Sequence, residues 1–289
     1  MTVYLNGVFL PRAKAQVSVD DRGFLFGDGV YEVTRARDGR LFEPGRHLGR
    51  LTRGLYGLGI AWPTGLDGVA IQNISERLLR ENELETGAAT VYLQITRGAA
   101  ERRHAFPPPD TAPTVFLAVS RLAVPDEIRS RGASVITTPD LRWGRCDLKT
   151  INLLPNVLAK QQAVSAGAFE AILVCDGVVT EGASSNVFAV VDGTLRTHPA
   201  TERILAGITR EVVLELAREL GLRTRDEALP LGELRRASEV MITATTADVM
   251  PVVQVDKRPV GDGQPGPVAR ALQTALRARM AQVPVGTVP

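Results

Sequence analysis

With 289 residues, 34 basic against 32 acidic side chains and a formal net charge of +2, the chain suits two medium domains and carries no basic run or tail with which to grip nucleic acid. No stretch approaches the roughly 18 apolar residues of a membrane span, and the opening MTVYLNGVFLPRAKAQ lacks an apolar segment behind a basic start, so a cytoplasmic location without membrane contact is expected. The two cysteines, Cys146 and Cys175, form no CxxC pair and stand at no metal-ligand spacing from His47, His104 or His198, so neither a disulfide framework nor a bound metal is expected.

Asn6-Gly7, between the short apolar runs of YLNGVFL, predicts a hairpin turn. From His47, Leu48, Leu51, Leu55 and Leu58 recur at three- and four-residue spacing, which predicts an amphipathic helix, and a second helix is expected over Asp67 to Asn82. In VYLQIT, Val91, Leu93 and Ile95 alternate with Tyr92, Gln94 and Thr96 at the period of a half-buried strand. A loop opens at Arg97-Gly98 and runs through AFPPPDTAP, whose prolines have no N–H for a ladder, before TVFLAVS resumes as a strand. The stretch SRLAVPDE suggests a division: an N-terminal α/β domain over 1–118, a linker over 119–126 and a C-terminal α+β domain over 127–289.

In the second half LLPNVLAKQQAVSAG reads as a helix ending at Gly167, and FEAILVCDGVVTEG as two strands around an Asp176-Gly177 turn. NVFAVVDGTLRT repeats that device at Asp192-Gly193. Ile208, Val212, Leu216 and Leu220 at four-residue spacing predict a helix from near Gly207 to Gly221, and EVMITATT a strand running into a threonine-rich turn. The closing QVPVGTVP reads as a frayed tail. Strands grouped among helices, without βαβ alternation or a GxGxxG turn, predict α+β domains rather than a doubly wound nucleotide fold.

The chemistry starts at Lys149 in RCDLKTINLLPN, flanked by Leu148 and Ile151 ahead of an apolar helix. A lysine there either snorkels to the surface or is desolvated, and desolvation favours the neutral amine that attacks aldehydes. Glu181, at a strand end in VVTEGASSNVF, is either a rim carboxylate or a buried one that needs a partner such as a protonated pyridine nitrogen. Gly182, Ala183, Ser184 and Ser185 would let backbone approach a flat ligand, although a plain turn has the same composition. Gly207, Ile208 and Thr209 open a helix whose N–H groups and dipole favour an anion; Arg50, Thr245 and Thr246 could complete that seat, though most helix starts bind nothing and most helical arginines are solvated. An amine, a carboxylate and an anion seat are what pyridoxal-phosphate chemistry requires.

The stretches DDRGFLFGDGVYEV, TRGAAERRHAFP, LRWGRCDLKTINLL, EAILVCDGVVTEGASSNVF, LAGITREVV and TATTADVMPV, in this order and over nearly the whole length, resemble the fold-type IV pyridoxal-phosphate enzymes, most closely the bacterial D-amino-acid aminotransferases. The resemblance implies a two-domain α+β fold with pyridoxal 5'-phosphate between the domains. It makes Lys149, in the C-terminal domain, the Schiff-base lysine and proton carrier, and Glu181 the partner of the pyridine nitrogen. Leu205 would pack against the ring face, and Arg50, Ile208, Thr209 and Thr245 would hold the phosphate. One departure is Ala183, where the family pattern has a serine, so one hydroxyl is missing.

Substrate choice falls to the loop after VYLQIT, because branched-chain aminotransferases, (R)-selective amine transaminases and aminodeoxychorismate lyases share the fold. Tyr31, Arg102 and His104 stand where the D-amino-acid enzymes trap the substrate α-carboxylate, and each charge-assisted bond of such a clamp is worth about 1.5–3 kcal/mol. Taken alone, RRH would read as a solvated loop tip. Arg103 could compete for that carboxylate or recruit the side chain of D-glutamate or D-aspartate. The expected activity is transfer of an amino group from a D-amino acid to a 2-oxo acid such as 2-oxoglutarate. An amine or branched-chain aminotransferase, a lyase and a non-catalytic vitamin-B6 carrier are the alternatives. The resemblance also implies a homodimer in which the Arg102 and His104 loop reaches the neighbouring subunit's site.

Overall fold

The structure, a computed structural model, describes residues 1–123 and 126–282. Residues 283–289 of the expected frayed tail, and Val124 and Pro125 of the expected linker, lie outside the described residues. The described residues form two compact units, the first Met1–Ala123 with Leu148–Asn152, the second within Val124–Asp147 and Leu153–Gln282. Among them no helix is long and apolar enough to cross a membrane.

The first unit runs β1 (Thr2–Leu5), β2 (Val8–Pro11), α1 (Arg22–Phe26), β3 (Gly29–Arg37), β4 (Arg40–Leu41), α2 (Pro44–Leu58), α3 (Gly68–Glu81), β5 (Ala88–Thr96) and β6 (Thr114–Arg121). Its described strands make one six-stranded antiparallel sheet in the order β2-β1-β6-β5-β3-β4. The first hairpin turns where expected, with Asn6 and Gly7 both at positive φ (47° and 92°), the geometry that matches strand twist. Leu51 and Leu55 of α2 and Leu78 and Leu79 of α3 pack with the alternating Val91, Leu93 and Ile95 of β5. Strand β6 extends through Arg121, so residues 119–121 of the expected linker are strand.

Lys149 was expected in the C-terminal domain, but its short segment packs with the first unit. The Tyr31 N–H donates to the Lys149 carbonyl (3.0 Å) and the Ile151 N–H to the Gly29 carbonyl (3.1 Å), which lays residues 149–151 beside the start of β3. Leu148 seats against Gly57 of α2, where a Cβ would stand 2.6 Å from its Cδ2; glycine at 57 makes that approach possible.

The second unit runs α4 (Asp126–Arg131), β7 (Ala133–Pro139), α5 (Leu154–Ser165), β8 (Glu170–Cys175), β9 (Val178–Gly182), β10 (Asn186–Val191), β11 (Thr194–Thr197), α6 (Ile208–Glu219), β12 (Thr224–Asp226), β13 (Leu229–Pro230), α7 (Leu231–Leu234), β14 (Glu239–Ala244), β15 (Asp248–Val255), β16 (Arg258–Pro259) and α8 (Pro267–Ala281). Its mixed sheet orders as β12-β11-β10-β14-β15-β7-β8-β9-β13, with β16 on β15; β7 runs parallel to both β15 and β8. The Asp176-Gly177 and Asp192-Gly193 turns close β8–β9 and β10–β11 as expected, each with both residues at positive φ. Ile172, Val187, Ala189, Ile242 and Met250 form the core of this unit. The α+β class inferred from the strand and helix pattern is the class observed.

Candidate active site

Tyr31, Arg50, Arg102, His104 and Lys149 belong to the first unit. Lys149 is half-buried, and its Nζ lies 4.2 Å from the centroid of the Tyr31 ring. Tyr31 leans in turn on Tyr92 at 5.8 Å. Of the two apolar residues that flank it, Leu148 is buried and Ile151 half-buried.

Beside Tyr31, the buried Glu32 accepts from Arg50 Nε and Nη2, both at 2.8 Å, and lies 2.8 Å from His47 Nδ1. Burial works to raise the proton affinity of Glu32, but Arg50 and then His47 outweigh it and hold the pKa at about 2. Burial lowers that of His47 despite Glu32, so the neutral ring donates from Nδ1 to the carboxylate. The guanidinium of Arg50 is therefore oriented by a salt bridge the sequence reading did not foresee. The available signal was His47 and Arg50 three residues apart on one helix face.

Arg102 and His104 are exposed on the loop between β5 and β6, and both approach Phe26: the guanidinium lies 5.3 Å from that ring's centroid and the imidazole meets it edge-on at 5.7 Å. Arg103 pairs with the equally exposed Glu101 at 2.8 Å.

Glu181, Leu205, Ile208, Thr209 and Thr245 belong to the second unit. Glu181, at the end of β9, is buried and forms a salt bridge with Arg142 Nη1; it also accepts from Asn186 Nδ2 (2.9 Å) and from the Leu205 N–H (3.1 and 3.2 Å to its two oxygens). Burial pushes its pKa up to about 7, although the charge and hydrogen bond of Arg142 and the Leu205 amide pull it down. Burial also works against the charge of Arg142, but bonds from Nε and Nη2 to Asp140 (2.9 and 2.7 Å) and the nearby Glu181 outweigh it. Thr180 Oγ1 donates to Asp140 as well (2.7 Å). Sequence reasoning missed both partners: nothing local marks Arg142, 39 residues from Glu181, and Asn186, only five residues on, gives no sign by composition that it turns back to the carboxylate.

Ile208 and Thr209, both buried, form the first turn of α6, whose N–H groups have no acceptor within the helix. Gly207 caps it against Asn186, where a Cβ would stand 2.1 Å from Oδ1. Thr245 is half-buried in the turn from β14 to β15, and Thr246 is exposed. The hydroxyls of Ser184 and Ser185 are turned to the buried Glu170 (2.6 and 3.3 Å), so the small-residue run is held from beneath by a carboxylate.

A family model described as amino-transferase class IV matches residues 29–255. The chain is 43% identical over 277 residues to the D-alanine aminotransferase of Bacillus licheniformis, covering 96% of both chains. It is 41% identical over 271 residues to that of Staphylococcus aureus (strain MW2), covering 94% of this chain and 95% of the relative. Among solved structures it matches the branched-chain amino acid aminotransferase of Escherichia coli with a TM-score of 0.88 at 27% identity, over 96% of this chain and 93% of the other. It matches the T.th. branched-chain amino acid aminotransferase complexed with N-(5'-phosphopyridoxyl)-L-glutamate with a TM-score of 0.85 at 29% identity, over 98% and 95% of the two chains.

Proposed function

This chain belongs to the class IV aminotransferases, and we propose that it transfers the amino group of D-amino acids, D-alanine among them, to a 2-oxo acid with pyridoxal 5'-phosphate as cofactor. The observation that carries this reading is the full-length likeness to D-alanine aminotransferases, higher than that to the branched-chain enzymes of similar fold. The presence of Tyr31, Arg102 and His104 agrees with it.

The residues fit the three handles of the cofactor. Lys149 offers an amine, and the buried Glu181, with its pKa near 7, suits a proton shared with a pyridine nitrogen. The first turn of α6 offers amides to a phosphate. When bound, pyridoxal 5'-phosphate supplies an aldehyde that takes up the amino group and a ring that withdraws electrons from Cα. Lys149 would hold the cofactor covalently at its aldehyde carbon, and its side-chain amine would carry the proton to and from the substrate Cα. Glu181 would keep the ring nitrogen protonated, with Arg142 and Asn186 fixing its oxygens. Arg50, oriented by Glu32, would hold the phosphate with Ile208, Thr209 and Thr245, and Leu205 would pack on the ring. Tyr31, Arg102 and His104 would bind the α-carboxylate, which an amine transaminase does not need. A cytoplasmic homodimer, with the Arg102 and His104 loop serving the neighbouring subunit, belongs to the same reading.

Incubated with cofactor, D-alanine and 2-oxoglutarate, the protein should release pyruvate far faster than it converts L-leucine or (R)-1-phenylethylamine. Faster turnover of L-leucine or of the amine would overturn this reading in favour of the branched-chain or amine-transaminase one.

A further inference from the structure

Arg102 and His104 occupy an exposed loop without strand or helix of its own, so their orientation must be set from outside it. The feature that reaches them is buried. Arg22, the first residue of α1, is 4% exposed; its Nε donates to Asp28 (2.8 Å) and its Nη1 to the carbonyls of Arg103 (2.6 Å) and Ala105 (3.3 Å). Those two carbonyls bracket His104. Asp28 also accepts from Arg97 Nε and Nη2 (2.7 and 3.0 Å), and Arg97 donates onward to the carbonyls of Leu58 and Gly59 (both 2.7 Å) where α2 ends. Burial works to raise the proton affinity of Asp28, but the two arginines outweigh it, so the carboxylate stays ionised.

The aromatic side chains extend the same framework. The ring of Phe26 is shared by Arg22 (4.8 Å) and Arg102 (5.3 Å) while it meets His104 edge-on, and Phe106 lies under Arg97 at 3.7 Å. The helix that carries Arg22 is itself pinned by Asp21, which accepts from the Gly23 N–H and from the hydroxyls of Thr96 and Thr114.

We infer that Arg22 is a positioning residue for recognition of the substrate α-carboxylate: by bridging Asp28 to the two carbonyls around His104, its guanidinium sets the direction of Arg102 and His104. The inference rests on reading that pair as the carboxylate clamp. An arginine is required because a planar fork serves the carboxylate and the carbonyls at once, whereas the compact ammonium of a lysine reaches one or the other.

The test compares wild-type holoenzyme with Arg22→Lys, Phe26→Leu and Arg102→Ala. Two quantities are read: kcat and KM for D-alanine at saturating 2-oxoglutarate, and the rate of tryptic cleavage after Arg102 and Arg103 in the native protein. Arg22→Lys should raise KM about tenfold with kcat changed by less than about threefold, the effect of displacing one charge-assisted contact. It should also speed cleavage of the loop several-fold while the visible absorption of the bound cofactor is retained. Phe26→Leu should shift KM in the same direction by about two- to threefold, and as a half-buried residue outside the ion cluster it carries the test if Arg22→Lys does not fold. An unchanged KM in Arg22→Lys, or in Phe26→Leu when that variant stands in for it, beside a raised KM in Arg102→Ala overturns the positioning role and leaves the clamp standing, even if cleavage is faster. An unchanged KM in Arg102→Ala overturns the clamp, and this inference with it.

Discussion

Replacing Glu181 by glutamine should stabilise the cofactor-free protein at alkaline pH relative to acidic pH. The folded carboxyl has a pKa of about 7 against 4.5 for an unperturbed glutamate, and burial is the main cause. That gap corresponds to on the order of 3 kcal/mol, at about 1.4 kcal/mol per pH unit. Between these two pH values the folded chain keeps a proton that the unfolded chain has released. Wild-type stability therefore falls as pH rises from about 4.5 to 7 and levels off above. Glutamine does not titrate, but its amide faces three donors, Arg142, Asn186 and the Leu205 N–H, so one of its own N–H groups opposes another donor. That mismatch costs roughly 1–3 kcal/mol at every pH and cancels when two pH values are compared. Urea unfolding of both proteins without cofactor, followed by circular dichroism at pH 5 and pH 8, isolates the titrating part. The variant should gain up to about 3 kcal/mol on wild type between the two conditions. A constant offset would show that Arg142 keeps Glu181 ionised throughout, which refutes the reasoning.

After unbound pyridoxal 5'-phosphate is removed by gel filtration, Lys149→Ala should lack the visible band of covalently bound cofactor that wild type keeps, while far-ultraviolet circular dichroism is unchanged; a retained band would move the cofactor's covalent partner elsewhere. Glu32→Gln deprives the buried Arg50 of its anion and should cost on the order of 3 kcal/mol in urea unfolding near neutrality. Because the folded pKa of Glu32 is depressed to about 2, its contribution is complete above about pH 4.5 and is lost as pH falls toward 2, so the gap to the variant should narrow in acid and not in base. Gly207→Ala drives a methyl group to 2.1 Å from Asn186 Oδ1. The resulting shift at the start of α6 should weaken pyridoxal 5'-phosphate binding about tenfold in a fluorescence titration, and unchanged affinity would remove this helix start from the phosphate seat.

What is encoded locally could be read from the sequence. Asn6-Gly7, Asp176-Gly177 and Asp192-Gly193 announce their turns because few residues accept positive φ, and Val212 and Leu216 announce α6 because one face must be buried. Strand β3 gave no alternating hydrophobic signal: in GVYEVTRAR the buried positions include Glu32, Thr34 and Arg35 while Tyr31 and Val33 are half-buried, so polarity misleads. Strand β15 is similarly buried and contains Pro251. Helix α8 does carry a legible period in its buried Ala269, Leu272, Leu276 and Met280. The proposed site residues were recognisable one by one through a family resemblance, but their supporting partners were not. Arg50 meets Glu32 across 18 positions, Arg142 meets Glu181 across 39 and Arg22 meets the Arg103 carbonyl across 81. Periodicity and turn chemistry act over a few residues, and so they specify the elements. Which buried charge satisfies which is decided by strand register and helix packing, because an ion removed from water must find its counter-charge wherever the folded chain brings one.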